Sequence, residues 1–186
     1  NYKTGNPLGL QYEFNHDTAY FKKDISDATN GTSTTFEPSG TRIYNDFAVR
    51  YNYRNPWSFV IPEVSIRNVN TFYDQDTINS NQNTNSSDEK QSVTVPQFTL
   101  DTGLTFEKDG KYLQTLTPRA FYAYAPYKNQ TGHPNFDSAT ASINYDQLFS
   151  ARRFYGHDRL EDNNFLTLGL SYSLFDEIGL ERLKAG

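Results

Sequence analysis

Hydrophobic and polar side chains alternate along residues 97–107. One set of positions carries Phe98, Leu100, Thr102, Leu104 and Phe106, and the intervening set carries Gln97, Thr99, Asp101, Gly103, Thr105 and Glu107. Because successive side chains of a strand point to opposite faces, this pattern predicts a β-strand with one apolar and one hydrated face. The dipeptide Asp109-Gly110, which favours a tight hairpin turn, predicts that strands 93–108 and 111–124 pair with each other.

The same alternation predicts further strands elsewhere in the chain, at 8–23, 41–54, 57–73 and 164–175, with a seventh strand that begins at residue 178. Two prolines interrupt the pattern. The apolar positions change from Trp57, Phe59 and Ile61 to Val64 and Ile66 around Pro62, and from Val93 and Val95 to Phe98 and Leu100 around Pro96. A one-residue change of phase at a proline predicts a β-bulge at each position.

The connections between the predicted strands alternate in length. Long polar connections cover 24–40, 74–92 and 125–163, and short turns cover 55–56, 109–110 and 176–177. Along antiparallel strands, such alternation places all long loops at one end of the sheet and all short turns at the other. This layout is typical of outer-membrane barrels. The sequence therefore predicts an all-β fold, an antiparallel transmembrane β-barrel segment of about seven long strands.

The composition favours a membrane surface over a water-soluble core. Of the 186 residues, 35% are hydrophobic and 16% are aromatic, with 14 Tyr and 14 Phe, and the mean hydropathy is −0.77. Strands that are rich in aromatic and poor in aliphatic side chains suit an outer face with rings at the membrane interfaces. We expect a single partial barrel domain over 1–186, an internal piece of a longer protein, without a second domain.

Charge and cysteine content narrow the partners and the chemistry. A net charge of −5 and a pI near 5.1 argue against nucleic acid as a partner. The absence of cysteine excludes disulfides and cysteine-based zinc sites. His16, His133 and His157 lie far apart and form no HExxH pair, so we expect no metal site and no cofactor. No nucleophile or nucleotide motif occurs, and we expect no catalytic residues and no enzymatic activity.

Several segments, in order, resemble one family. These are VPQFTLDTGLTFE at 95–107, QTLTPRAFYAYAPYKNQ at 114–130, RFYGHDRL at 153–160 and DNNFLTLGL at 162–170. They resemble the LptD family of lipopolysaccharide-assembly outer-membrane proteins, also called OstA or organic solvent tolerance proteins. The resemblance is strong over 57–182 and weak before Arg42.

The resemblance implies an internal part of the C-terminal barrel in the outer membrane of a Gram-negative bacterium. It implies that the whole protein inserts lipopolysaccharide into the outer leaflet of the membrane lipid. The implied partners are the lipoprotein LptE, which plugs the lumen, and LptA, which meets an N-terminal domain outside this chain. The present segment would contribute barrel wall, lumen lining and extracellular loops.

Two groups of residues are candidate functional sites. The first group faces the predicted lumen and could contact the sugar head of the substrate or the plug: Asp46, Arg50, Thr99, Asp101, Thr167 and Ser171. The second group lies in the longest connection: Arg152, Arg153, Asp158 and Arg159. Its arginines could contact lipopolysaccharide phosphates, or they could pair with Asp158, Glu161 and Asp162 to organise the loop, and we favour the second interpretation.

Two other functions are compatible with the pattern. A passive porin would need a constriction, which the 125–163 connection could form. A soluble carbohydrate-binding β-sandwich would instead bury Phe98, Leu100, Leu104 and Phe106 in a protein core. Exposure of these four side chains distinguishes the sandwich from the barrel.

Overall fold

The protein is described by a computed structural model over residues 9–22, 39–73, 90–131, 133 and 135–186. Strands dominate this part of the chain, and a short 3-10 helix spans Asp146–Phe149. The strands are β1 (Leu10–Phe21), β2 (Gly40–Tyr51), β3 (Tyr53–Asn55), β4 (Ser58–Tyr73), β5 (Lys90–Leu104), β6 (Phe106–Lys108), β7 (Leu113–Ala125), β8 (Ala139–Thr140), β9 (Phe154–Tyr155), β10 (Asn163–Phe175) and β11 (Glu181–Ala185). Most of the predicted loops 24–40 and 74–92 lies outside the described residues.

The long strands form one antiparallel sheet in the order β1-β2-β4-β5-β7-β10-β11. The short strands β3 and β6 continue β2 and β5 along β4 and β7, and β8 pairs with β9 inside the last long connection. Each long strand therefore pairs with the long strands that precede and follow it in the chain, which confirms the predicted all-β antiparallel fold. The described sheet is not closed.

The predicted two-residue turn at Asp109-Gly110 is wrong. Lys108 lies opposite Gln114, and β7 begins at Leu113 instead of residue 111. A tight hairpin turn of the Asp-Gly type needs positive φ at both central residues. Neither residue has a positive φ, and residues 109–112 form a wider connection.

The two predicted β-bulges are also wrong, because the β4–β5 pairing runs without a shift past both prolines. Pro62 faces the gap between β2 and β3, and Pro96 lies beyond the end of the β5–β7 ladder. A missing N–H therefore leaves no hydrogen bond unmade on that side. In consequence Ile61 and the valines of early β5 point to the polar face of the sheet; Val95 is 1% exposed there.

The two faces of the sheet have opposite character. The outer face carries exposed apolar side chains, among them Phe14, Phe47, Val64, Ile66, Phe98, Leu104, Phe106, Leu166, Leu168 and Leu170. Leu168, in the middle of β10, is 73% exposed. The inner face carries buried polar groups, among them Arg42, Asp46, Ser65, Arg67, Thr71, Gln97 and Thr99. A water-soluble protein shows the reverse distribution, and so large an apolar surface marks contact with lipid or protein. The soluble-sandwich alternative is therefore contradicted.

Residues 126–131, 133 and 135–162, called the inner loop below, pack on the inner face. Leu160 of this loop joins a buried cluster with Tyr44, Val69, Val93, Val95 and Ala125. Phe149 and Ala151 join a second cluster with Phe121 and Ala123. In the described part of the chain, no helix is long and apolar enough to cross a membrane.

Candidate functional site: the inner face and its loop

Arg42 joins the inner loop to the sheet. Its guanidinium donates from Nη1 to Asp158 Oδ1 at 2.6 Å and from Nη2 to Asp137 Oδ2 at 2.9 Å. A longer bond of 3.3 Å reaches Asp17 on β1. Because Arg42 is only 2% exposed, these carboxylates compensate a charge that is removed from water. Two strands and two points of the loop thus meet at one side chain.

Asp158 also organises the inner loop itself. Its Oδ2 accepts hydrogen bonds from the backbone N–H groups of Phe136, Asp137 and Ser138, at 2.8, 2.7 and 3.1 Å. Nearby, Gly156 has a φ of 78°, and a Cβ there would lie 2.6 Å from Asp137 Oδ1. Glycine is therefore required at this close approach.

Burial and nearby charges determine the protonation states of Asp137 and His157 in this part of the loop. The hydrogen bond from Arg42 holds the pKa of Asp137 below its usual range, so Asp137 is ionised at neutral pH. His157 stacks on Tyr44 with ring centroids 4.1 Å apart. Burial, with the nearby Arg42, lowers the pKa of His157, so the imidazole is neutral at pH 7.

A second buried arginine makes an equivalent connection further along the sheet. Arg67 on β4 donates to Glu161 of the loop and to Gln97 on β5. The other oxygen of Glu161 accepts the backbone N–H of Arg153 at 3.0 Å. Each buried arginine therefore binds a loop carboxylate that in turn binds loop backbone.

Phe149, at the end of the 3-10 helix, packs on β7 and β10. Arg119 lies with its guanidinium carbon 4.2 Å from the Phe149 ring centroid, and Asp101 binds the same guanidinium through two 2.8 Å hydrogen bonds. A Cβ at Gly169 would lie 2.4 Å from Phe149 Cζ. Thr167 adds a 2.8 Å hydrogen bond from its hydroxyl to the carbonyl of Leu148. The absence of a side chain at Gly169 makes room for the Phe149 ring.

Next to Phe149, a partly open hollow of about 350 Å³ lies between the loop and the sheet. We call it the inner hollow. It is lined by Arg50, Arg54, Ile61, Glu63, Gln97, Thr99, Asp101, Phe121, Phe149, Ser150, Ala151 and Arg152. Its lining combines arginine forks, hydroxyl and amide groups, and aromatic walls. Such a mixture can bind a polar molecule that carries both hydroxyls and an anionic group.

The structure brings together some of the residues that the sequence singled out. Arg50, Thr99, Asp101 and Arg152 line the inner hollow, and Asp46 lies next to it, 3.0 Å from Arg152. Thr167 and Ser171 lie on the same inner face in β10 but outside the hollow.

The other loop candidates have different partners. Arg153 lies 3.9 Å from Asp162, with both side chains exposed, and Arg159 donates to the carbonyl of Gln130. Asp158 binds Arg42, which the sequence analysis missed together with Arg67 and Arg119. The alternating pattern places all three arginines on the polar face of the sheet, and this pattern is the sequence feature that points to them. The pattern does not identify their carboxylate partners, because those partners come from distant segments of the chain.

In the part of the chain that the structure describes, no three histidine, aspartate or glutamate side chains converge as metal ligands. The geometry instead defines a class of protein. A meandering antiparallel sheet with an apolar outer face, a polar inner face and a loop packed on that inner face is typical of outer-membrane β-proteins.

Comparison with known proteins gives the family. The family model described as "LptD: LPS transport system D" matches residues 1–186, and the chain belongs to this family. It is 73% identical over 186 residues to the LPS-assembly protein LptD of Acinetobacter baylyi and 72% identical over 185 residues to that of Acinetobacter baumannii. The Psychrobacter cryohalolentis LPS-assembly protein LptD is 40% identical over 176 residues, 89% of this chain.

The chain spans about a fifth of the length of these relatives. The alignment with each Acinetobacter protein covers all of this chain and 22% of the relative. The alignment with the Psychrobacter protein covers 89% of this chain and 17% of the relative. Family membership assigns it to the outer membrane of a Gram-negative bacterium.

Proposed function

We propose that this chain forms part of the outer-membrane translocon that inserts lipopolysaccharide into the outer leaflet. It contributes wall, inner lining and the inner loop. The observation that carries the proposal is the reversed distribution of side chains, with Leu168 exposed on the outer face and Arg42 buried on the inner face. Such a sheet separates lipid from a hydrated path, which is what the transfer of an amphipathic lipid requires.

The transfer needs no covalent chemistry. The sugar head moves along the hydrated inner face while the acyl chains pass into the membrane, and no cofactor, metal ion or catalytic residue takes part. Asp46, Arg50, Thr99, Asp101, Thr167 and Ser171 are the proposed contacts with the sugar head or the plug. Their common position on the inner face supports this role.

The proposed partners follow from the family. LptE would contact the inner face as a plug, LptA would meet a domain outside this chain, and lipid would cover the outer face. The net charge of −5 supports a function without nucleic acid.

A passive porin is the second candidate, and the position of the inner loop is the observation that favours it. Porins use an infolded loop with facing charges as a constriction. The inner loop packs on the inner face, and Arg152 faces Asp46 across 3.0 Å. A constriction built this way would select small solutes by charge and size.

Depletion of the full-length protein in its own host separates the two candidates. Newly made lipopolysaccharide at the cell surface and uptake of a small hydrophilic solute are measured together. Loss of surface lipopolysaccharide with unchanged uptake is the expected result. Loss of uptake with unchanged surface lipopolysaccharide would replace the translocon with the porin.

A further inference from the structure

The geometry points to the inner hollow as a binding site for a phosphate-bearing saccharide, with Arg54 as the residue that binds the phosphate. The inference rests on the proposed function, since it names the part of the substrate that this sheet contacts on its way. It assigns a role to the inner hollow and to Arg54, neither of which the sequence pattern indicated as a site.

The charge balance of the hollow selects Arg54. Ion pairs match the other arginines in and beside the hollow with one carboxylate each: Arg50 with Glu63, Arg119 with Asp101 and Arg152 with Asp46. Among residues 9–22, 39–73, 90–131, 133 and 135–186, no carboxylate lies within ion-pair distance of Arg54. Its Nε donates to Asn52 at 3.1 Å, and within the described residues its two terminal nitrogens donate no hydrogen bond. The hollow therefore carries one uncompensated positive charge.

The geometry of Arg54 suits a phosphate. Its guanidinium carbon lies 5.2 Å from the Phe59 ring centroid, and Phe59 in turn packs over Gly103, where a Cβ would lie 2.5 Å from the ring. This contact orients the planar fork, and an oriented fork binds phosphate through two parallel hydrogen bonds. Arg152, 54% exposed and paired through one nitrogen only, can supply further donors from the loop.

The rest of the lining suits a sugar. Thr99, Gln97 and Ser150 offer hydroxyl and amide groups for sugar hydroxyls, while Phe121 and Phe149 offer flat apolar walls for the ring faces. The volume, about 350 Å³, lies within the range of small-ligand sites. Residues Phe149 to Arg152 of the inner loop form one wall of the hollow, opposite the strands.

The test uses the full-length protein purified with its plug partner. Two probes are compared in equilibrium binding: the phosphorylated saccharide obtained by removing the acyl chains from lipopolysaccharide, and the same saccharide after phosphatase treatment. We expect the phosphorylated probe to bind on the order of tenfold more tightly, the contribution of one charge-assisted hydrogen-bonded pair. R54Q should abolish this difference.

The matched control is R182Q. Arg182 is an exposed arginine like Arg54, but it pairs with Asp176 and lies in β11, away from the hollow. R182Q should retain the preference for phosphate. If R54Q does not assemble, R54K keeps the charge without the fork, and the preference should fall severalfold.

Equal binding of both probes, or a preference that survives in R54Q or is undiminished in R54K, would overturn the inference. Displacement of the saccharide by inorganic phosphate at equal concentration would also overturn it, because it would show a simple anion site. These results are independent of the depletion experiment. If depletion lowers surface lipopolysaccharide but Arg54 has no effect, only the inference fails; if depletion leaves surface lipopolysaccharide unchanged, the proposed function fails.

Discussion

Arg42 and Asp158 are separated by 116 positions in the chain, yet they form a 2.6 Å ion pair in which each side chain is 2% exposed. One partner belongs to a strand and the other to the inner loop. Removal of Asp158 would leave Arg42 with Asp137 and the more distant Asp17, and it would take the carboxylate acceptor from three backbone N–H groups of the loop. The free energy that binds the loop to the inner face should therefore depend on this pair.

Substitution of Asp158 tests this dependence. Asp158→Asn should weaken loop docking by about 1–3 kcal/mol, the cost of leaving a buried hydrogen-bonding group unsatisfied. Hydrogen exchange of residues 135–162 in the full-length protein measures the opening of the loop. Arg153→Gln is the control, because Arg153 is exposed and its nearest carboxylate oxygen is 3.9 Å away. Equal exchange in wild type and Asp158→Asn would show that other contacts bind the loop.

Gly169 should be required for the position of the 3-10 helix. Gly169→Ala places a methyl group 2.4 Å from Phe149 Cζ, and this overpacking should destabilise loop docking by about 1–3 kcal/mol. Exchange of residues 146–152 provides the measurement. The second substitution Phe149→Leu should restore part of the loss, and Gly110→Ala, where the nearest atom is 3.8 Å away, should have little effect. A Gly169→Ala protein with wild-type exchange would argue against a direct contact.

The outer face should face lipid. Leu168→Arg should hinder insertion into bilayers, at about 2–4 kcal/mol if the position lies near the midplane. Folding of the full-length protein into lipid vesicles, followed by the shift in gel mobility of the folded barrel, measures the insertion. Ser171→Arg on the inner face of the same strand is the control and should insert normally. If both variants insert equally well, the assignment of the two faces is wrong.

Acidification should loosen the inner loop. His157 has a lowered pKa in the folded protein, so its contribution to docking is complete above the ordinary histidine value of 6.5 and declines as pH falls through the lowered value. His157 faces Asp17, Arg42, Asp137 and Arg152. Exchange of the loop should therefore increase between pH 7 and pH 5. His157→Phe, which can still stack on Tyr44, should reduce that increase; burial also lowers the pKa of His133 in the same loop, so part of the increase should remain.

Protonation of Asp137 should add a second phase, at lower pH, to the increase in hydrogen exchange of the loop. Its pKa is held below the ordinary value of 3.8 by Arg42, so its stabilising contribution is present above that value and disappears as pH falls through the lowered pKa. Asp137→Asn should abolish the acid phase while leaving the His157 phase in place. An acid phase that persists in Asp137→Asn would have to arise from another carboxylate.

Local pattern predicted most of the sheet. The alternation in β10 correctly placed Leu166, Leu168 and Leu170 on the outer face, because a period of two depends only on the strand itself. The same method failed for Ile61 and Val95, because apolar side chains also occur on the inner face where the loop covers them. At Asp109-Gly110, a local turn preference was overridden by the register of β6 with β7.

The sequence alone determined the strands, their antiparallel order and the family, because alternation, turn spacing and ordered segments are local properties of the chain. Only the tertiary structure decided that the inner loop packs on the inner face and that Arg42, Arg67 and Arg119 meet Asp158, Glu161 and Asp101. Those partners lie on different strands and in the loop. Side-chain polarity shows which groups need a partner when they are buried, but the choice among several carboxylates depends on three-dimensional distance.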